Sequence, residues 1–191
     1  AARLRIMAAA GAVSGKSRVL FVNDGSRDGT WRLISELHAK DEIFCGVSLS
    51  RNRGHQNALL AGLMTAKEQA DVTISIDADL QDDVEAMDRM VAEYAGGAEI
   101  VCGVRENRDS DTFFKRFTAE SFYHLMSAMG VELVFNHADF RLMSAKALEC
   151  LSDYKEVNLF LRGVVPLIGF KTATVGYVRT ERQAGESKYS L

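Results

Sequence analysis

Four short apolar runs in the first half of the chain alternate with amphipathic segments, and this alternation constrains the fold more than any other feature. The runs cover residues 18–23, 44–49, 72–76 and 99–104, and a helical pattern separates each from the next. Strands that are apolar along their whole length are buried on both faces, which favours parallel neighbours covered by helices. The sequence therefore predicts an α/β fold with a doubly wound, mostly parallel sheet.

The second half of the chain is less regular. Helical patterns cover residues 111–129, 145–151 and 158–168, apolar runs cover 140–143 and 172–179, and a polar tail follows from 181 to 191. A chain of 191 residues can bury enough surface to fold without a disulfide or a structural metal. We therefore expect a single domain over residues 1–191.

The composition excludes several classes of protein. With 47% apolar and 26% charged residues, the chain is neither disordered nor of low complexity. A formal net charge of −3 argues against nucleic acid as the main partner. The three cysteines lie far apart in sequence and predict reduced, buried thiols. No apolar run is long enough to span a bilayer, so we expect the chain as given to be soluble.

An acidic segment, residues 77–83 (DADLQDD), directly follows the third apolar run. It falls at the carboxyl edge of the predicted sheet, where open α/β sheets bind ligands. Strand alternation puts Asp77 and Asp79 on one side of the chain, where the like charges repel unless a cation neutralises them. Hard oxygen ligands select Mg²⁺ or Mn²⁺. We predict a metal at Asp77 and Asp79, whereas Asp82 and Asp83 are expected to complement the dipole of the next helix.

Six short motifs occur in the order found in family-two glycosyltransferases. They are 22–26 (VNDGS) with 28–30 (DGT), 51–54 (RNRG), 77–81 (DADLQ), 138–143 (ADFRLM), 158–163 (NLFLRG) and 182–189 (RQAGESKY). Together they most resemble the polyprenyl-phosphate branch, the bactoprenol glucosyltransferases, with dolichyl-phosphate mannose synthase as a more distant relative. The resemblance covers residues 18–191 and implies the glycosyltransferase A-type nucleotide-sugar fold.

The resemblance also implies a reaction. The expected enzyme is an inverting hexosyltransferase that uses Mg²⁺ or Mn²⁺ and moves glucose from a UDP-sugar donor to undecaprenyl (polyprenyl) phosphate. It would act at the cytoplasmic face of the plasma membrane, and homo-oligomer formation is left open. Compared with the family pattern, residues 1–191 are expected to be one glycosyltransferase catalytic domain without the first strand and the C-terminal membrane helices.

On the donor side, the resemblance assigns Asp24 to the base or ribose of the nucleotide. Because Ser26 and Asp28 can cap the following helix, we expect the Asp24 carboxylate to be available for that contact. The other residues predicted to bind the donor are Asp77, Arg105, Arg182 and Lys188. The residues predicted to bind the metal are Asp79, Asp77 and Gln81.

On the acceptor side, the resemblance assigns Asp139 as the catalytic carboxylate. A phosphate monoester carries ~1.5 to 2 negative charges near pH 7 and scarcely needs deprotonation. We therefore expect Asp139 to orient the acceptor and to capture the final proton. Arg141, two residues further on, is predicted to bind the acceptor phosphate or to pair with Asp139.

Two alternatives stay open from the sequence. A sugar-phosphate nucleotidyltransferase of similar fold would release pyrophosphate instead of UDP. A non-catalytic nucleotide-sugar binding module would have no use for a carboxylate on the acceptor side. The products of the reaction distinguish all three functions.

Overall fold

The computed structural model describes residues 1–79, 81–106, 137–156 and 160–179, without the side chains of residues 137 and 138. The strands in these ranges are β1 Val19–Asn23, β2 Phe44–Ser48, β3 Val72–Ser75, β4 Ile100–Arg105, β5 His137–Ser144 and β6 Thr172–Tyr177. The helices are α1 Ala2–Ala9, α2 Thr30–Lys40, α3 His55–Ala66, α4 Ala86–Ala95, α5 Ala145–Ser152 and α6 Leu161–Leu167. The predicted α/β class is confirmed. The helical pattern at 111–129 and the tail at 181–191 lie outside the described residues.

The chain forms two compact units. The first comprises Ala1–Thr73 and Ser144–Leu161, and the second comprises the described residues of Ile74–Met143 and Arg162–Leu191.

In the first unit, β1 and β2 pair in parallel from Val19 opposite Phe44 to Asn23 opposite Ser48. Glycines let the covering helices approach these strands closely. A Cβ atom on Gly46 would lie 2.5 Å from Ile34 Cγ2 of α2, and one on Gly62 of α3 would lie 2.6 Å from a Val22 methyl. The parallel register brings the carboxyl ends of β1 and β2 side by side.

The four-stranded sheet has the order β3-β5-β4-β6. Strands β4 and β6 are parallel, whereas β4 and β5 are antiparallel with an irregular register between Cys102 and Val104. The sheet is therefore mixed at β5. An apolar run reports burial on both faces of a strand and not its direction, so the sequence pattern did not distinguish this arrangement from a wholly parallel sheet.

The core of the second unit lies between this sheet and α4. Met90 of α4 and Phe140 of β5 are fully buried. Gly103 makes room for both, because a Cβ atom there would lie 2.8 Å from the Phe140 ring and 3.1 Å from Met90 Cε. The Tyr177 and Phe140 rings also pack in a T-shaped arrangement, with ring centroids 5.2 Å apart. This close packing gives the loops at the strand ends a rigid base.

In the ranges that the structure describes, no helix has the length and apolar character needed to cross a bilayer.

Candidate active site

Asp24 follows β1 and binds the loop that follows β2. Its Oδ1 accepts a hydrogen bond from the amide of Arg53 at 2.6 Å, and its Oδ2 accepts one from the amide of Gly54 at 3.0 Å. Both oxygens thus hold the backbone of the 51–54 loop, which is a structural role that the sequence did not predict for Asp24. A carboxylate has further lone pairs, so the assignment of Asp24 to the nucleotide stays a prediction.

The residues around Asp24 explain why the two loops meet. The buried Asn23 donates from Nδ2 to Ser48 Oγ at 2.9 Å and accepts the amide of Ser26 on Oδ1 at 3.1 Å. Gly25 has a φ of 64°, and a Cβ atom there would lie 2.3 Å from the carbonyl carbon of Arg51. The turn after β1 thus requires glycine for its backbone conformation and for its close contact with the next loop.

In the second unit, the acidic segment begins directly after β3. Asp77 and Asp79 are half-buried and Ala78 between them is exposed, although residues 78 and 79 form a turn and do not continue strand β3. Asp79 Oδ1 accepts the amide of Gln81 at 3.1 Å, and Asp79 Oδ2 lies 3.4 Å from Arg179 Nη2. A cation, the guanidinium of Arg179, therefore already lies beside the carboxylate that we expect to bind the metal.

Among the described residues, a cation at Asp79 would need ligands from a substrate or water in addition to protein carboxylates. Among the residues that the structure describes, no three His, Cys, Asp or Glu side chains converge as a protein-only metal site. Mg²⁺ is commonly held by one or two carboxylates, with substrate phosphates and water as the other ligands. Asp77 and Asp79 suit that arrangement, and their role as metal ligands stays a prediction, as does that of Gln81.

Asp82 and Asp83 have different roles. Asp83 Oδ1 accepts the amide of Glu85 at 2.9 Å in the turn that leads into α4, in line with the predicted role at the helix start. Asp82 is only 5% exposed, and its Oδ1 accepts the hydroxyl of Tyr177 at 2.6 Å. The prediction that Asp82 complements the helix dipole is wrong, because α4 begins at Ala86 and the carboxylate instead contacts the end of β6.

Arg105, at the end of β4, contacts the same tyrosine. Its Nε donates to the Tyr177 hydroxyl at 3.3 Å. Burial of the ring and the hydrogen bond to Asp82 raise the pKa of Tyr177 to about 12, although Arg105 acts in the opposite direction. The hydroxyl is therefore protonated throughout the neutral range. The predicted role of Arg105 in donor binding stays a prediction.

Asp139 lies on β5 and is 4% exposed. Arg162 of α6 binds both of its oxygens, with Nε 3.1 Å from Oδ1 and Nη2 2.9 Å from Oδ2. The Arg162 side chain is 43% exposed, so this pair has one buried and one partly solvated partner. Sequence reasoning did not single out Arg162 as a site residue, although the 158–163 motif contains it.

Asp139 also lies close to the start of the acidic segment. Ser75, the last residue of β3, donates its hydroxyl to the backbone carbonyls of Asp139 and Arg141. Asp77 follows two residues later. The predicted metal ligands and the predicted catalytic carboxylate therefore arise from neighbouring strands.

Arg141 is buried, with 4% of its surface exposed, and it pairs in register with Cys102 of β4. Burial raises the pKa of the Cys102 thiol, and the charge and hydrogen bond of Arg141 oppose that rise. The structure thus places the Arg141 guanidinium next to a buried thiol. Its role toward the acceptor phosphate stays a prediction, and Arg182 and Lys188 lie outside the described residues.

Comparison with known proteins gives a consistent family. Residues 12–152 match Glycosyl transferase family 2. The chain is 55% identical over 175 residues to "Uncharacterized glycosyltransferase YkoT" of Bacillus subtilis (strain 168), covering 92% of this chain and 52% of that protein. It is 40% identical over 173 residues to "Bactoprenol glucosyl transferase" of Shigella phage SfX, covering 90% of this chain and 56% of that protein.

A third relative is the "Prophage bactoprenol glucosyl transferase homolog" of Escherichia coli (strain K12), which is 39% identical over 173 residues, covering 90% of this chain and 56% of that protein. The chain spans about half the length of the curated relatives it matches. The resemblance inferred from the six motifs is confirmed at the level of the family. With its α/β architecture and the glycosyltransferase A-type fold that the family implies, the chain belongs to glycosyltransferase family 2.

Proposed function

We propose that this chain is the catalytic part of an inverting, Mg²⁺- or Mn²⁺-dependent glycosyltransferase that moves glucose from UDP-glucose to undecaprenyl phosphate. The observation that carries the proposal is the 40% identity over 173 residues to a protein named bactoprenol glucosyl transferase. The residues of the second unit support it, because Asp77 and Asp79 follow strand β3 and Asp139 lies on the neighbouring strand β5. The lipid acceptor puts the reaction at a membrane surface, which we propose is the cytoplasmic face.

On the donor side, Asp77 and Asp79 are the proposed ligands of the cation, and Asp24 remains the proposed contact of the base or ribose. When bound, the cation neutralises negative charge on the departing diphosphate. The Arg179 guanidinium, 3.4 Å from Asp79 Oδ2, adds a fixed positive charge on the same side. Guanidinium groups bind phosphate oxygens bidentately, so Arg179 can also serve the diphosphate.

On the acceptor side, we propose that Arg162 and Asp139 act together on the acceptor phosphate. The Arg162 guanidinium is partly exposed and can meet an incoming phosphate, whereas Arg141 is buried. Asp139 is held in one orientation by two hydrogen bonds from Arg162. We propose that Asp139 orients the phosphate oxygen for attack on the anomeric carbon, from the side opposite the leaving diphosphate, and takes up the final proton.

Calorimetric titration with UDP-glucose in the presence of Mn²⁺ tests the donor half of this proposal. Asp79→Asn should abolish Mn²⁺-dependent binding. Asp83→Asn is the matched control, because an asparagine oxygen can still accept the Glu85 amide and Asp83 has no proposed ligand role. Equal affinity in wild type and Asp79→Asn would refute the donor site.

A further inference from the structure

A buried hydrogen bond joins the acidic segment to the end of β6. Asp82 is 5% exposed and Tyr177 is 1% exposed, and the hydroxyl lies 2.6 Å from Asp82 Oδ1. That length is typical of a charge-assisted hydrogen bond to a carboxylate. Asp82 Oδ2 is buried and accepts no hydrogen bond from the residues that the structure describes. The Tyr177 hydroxyl is therefore the side-chain partner that the described residues provide for this buried carboxylate.

Tyr177 is itself held firmly. It is the last residue of β6, paired in register with Arg105 of β4. Its ring forms a T-shaped pair with Phe140, the residue after Asp139, and its hydroxyl also accepts a hydrogen bond from Arg105 Nε. Because strand pairing, ring packing and a hydrogen bond all restrain this side chain, its hydroxyl is held in one position.

The bond acts on a segment that needs a defined geometry. Asp82 lies three residues after Asp79, and Arg179, two residues after Tyr177, contacts Asp79 from the same end of β6. The acidic segment is thus attached at two points to the chain that ends β6. Because Asp79 precedes the helix α4 and lies in a loop, its position depends on such attachments.

We infer that Tyr177 is a positioning residue for the donor site. The Tyr177 hydroxyl holds Asp82, and this contact fixes the positions of Asp77 and Asp79, which bind a nucleoside diphosphate and its divalent cation. The inference rests on the proposed function for the identity of the ligand. The positioning itself does not depend on the ligand and can be measured in the unliganded protein.

Tyr177→Phe removes the hydroxyl and keeps the ring, and Tyr94→Phe on α4 is the control. Hydrogen exchange of the amides at 77–83 should be at least severalfold faster in Tyr177→Phe and unchanged in Tyr94→Phe. Affinity for UDP with Mn²⁺ should fall about tenfold or more, the magnitude expected for a hydrogen bond to a charged group. Unchanged exchange at 77–83 would overturn the inference.

A second variant separates positioning from a purely structural role. Tyr177→Phe leaves a buried carboxylate without its hydroxyl partner, and Asp82→Asn removes that charge. The double variant should recover thermal stability while its affinity for UDP with Mn²⁺ stays low. Recovery of both would show that Tyr177 is only structural. If wild type does not bind UDP with Mn²⁺, the proposed function fails, and the exchange measurement still decides whether Tyr177 positions the segment.

Discussion

The Asp139–Arg162 pair predicts an asymmetry between two substitutions. Asp139 is 4% exposed and Arg162 is 43% exposed, so only the arginine can reach water when its partner is removed. Arg162→Met leaves the buried carboxylate without two hydrogen bonds. Asp139→Asn leaves an amide that can still accept one hydrogen bond and a guanidinium that can turn to solvent.

The magnitudes follow from this exposure. Breaking a fully buried ion pair costs about 3–5 kcal/mol, and the partial exposure of Arg162 puts Arg162→Met near the lower end, ~3 kcal/mol. Asp139→Asn exchanges one charge-assisted hydrogen bond for a neutral one and should cost ~1 kcal/mol. For a chain of this size, the melting temperature falls by about 2–4 °C for each kcal/mol. We expect losses of ~6–12 °C and ~2–4 °C respectively.

Thermal and urea unfolding of the two single variants and the double variant measure these costs. Once Asp139 is neutral, Arg162→Met should add almost nothing, so the double variant should resemble Asp139→Asn. Equal losses in the two single variants, or additive losses in the double variant, would refute the reasoning that the cost arises from a buried, uncompensated carboxylate.

Three further results are expected. Asp139→Asn should slow transfer by orders of magnitude and leave UDP-glucose affinity within a few-fold, as steady-state and calorimetric data on one preparation would show. Gly25→Ala should lower the free energy of unfolding by about 2–4 kcal/mol, because of its φ and its contact with the next loop, whereas the control Gly29→Ala should not. The pKa of Tyr177 is raised from 10.0 to about 12 in the folded protein. The protonated Tyr177 hydroxyl therefore contributes fully to the free energy of unfolding below pH 10, and this contribution is lost as the pH rises toward 12. Between pH 10 and 12, the free energy of unfolding measured in urea should therefore fall more steeply for the wild type than for Tyr177→Phe.

Much of the fold follows from local sequence patterns. The apolar runs at 18–23, 44–49, 72–76 and 99–104 all contain a strand, with ends that differ by at most a residue or so. Period-two and helical patterns arise from burial of one face and so are visible locally. Of the 158–168 helical pattern, residues 158 and 159 lie outside the described residues, and the described helix is Leu161–Leu167.

The pairing of the site residues was less accessible from the sequence. Asp82 accepts a hydrogen bond from Tyr177, which lies 95 positions further along the chain. Asp24 accepts hydrogen bonds from amides 29 and 30 positions further along the chain. From the local sequence, Asp24 is interpreted as a turn residue and Asp82 as part of an acidic helix start. The spacing of residues along the chain does not indicate partners that are distant in sequence. Arg162 is the case where a signal existed, because an arginine that interrupts an apolar helix needs an anion or water beside it.

The central claim is tested most directly by incubating this chain with labelled UDP-glucose, Mn²⁺ and undecaprenyl phosphate in detergent micelles, which removes the need for membrane attachment. The proposed reaction yields UDP and undecaprenyl-phosphate glucose in equal amounts, with an inverted anomeric carbon. Release of pyrophosphate would instead indicate a nucleotidyltransferase. Binding of UDP-glucose without any glucosylated lipid would contradict the proposed acceptor and favour a binding module.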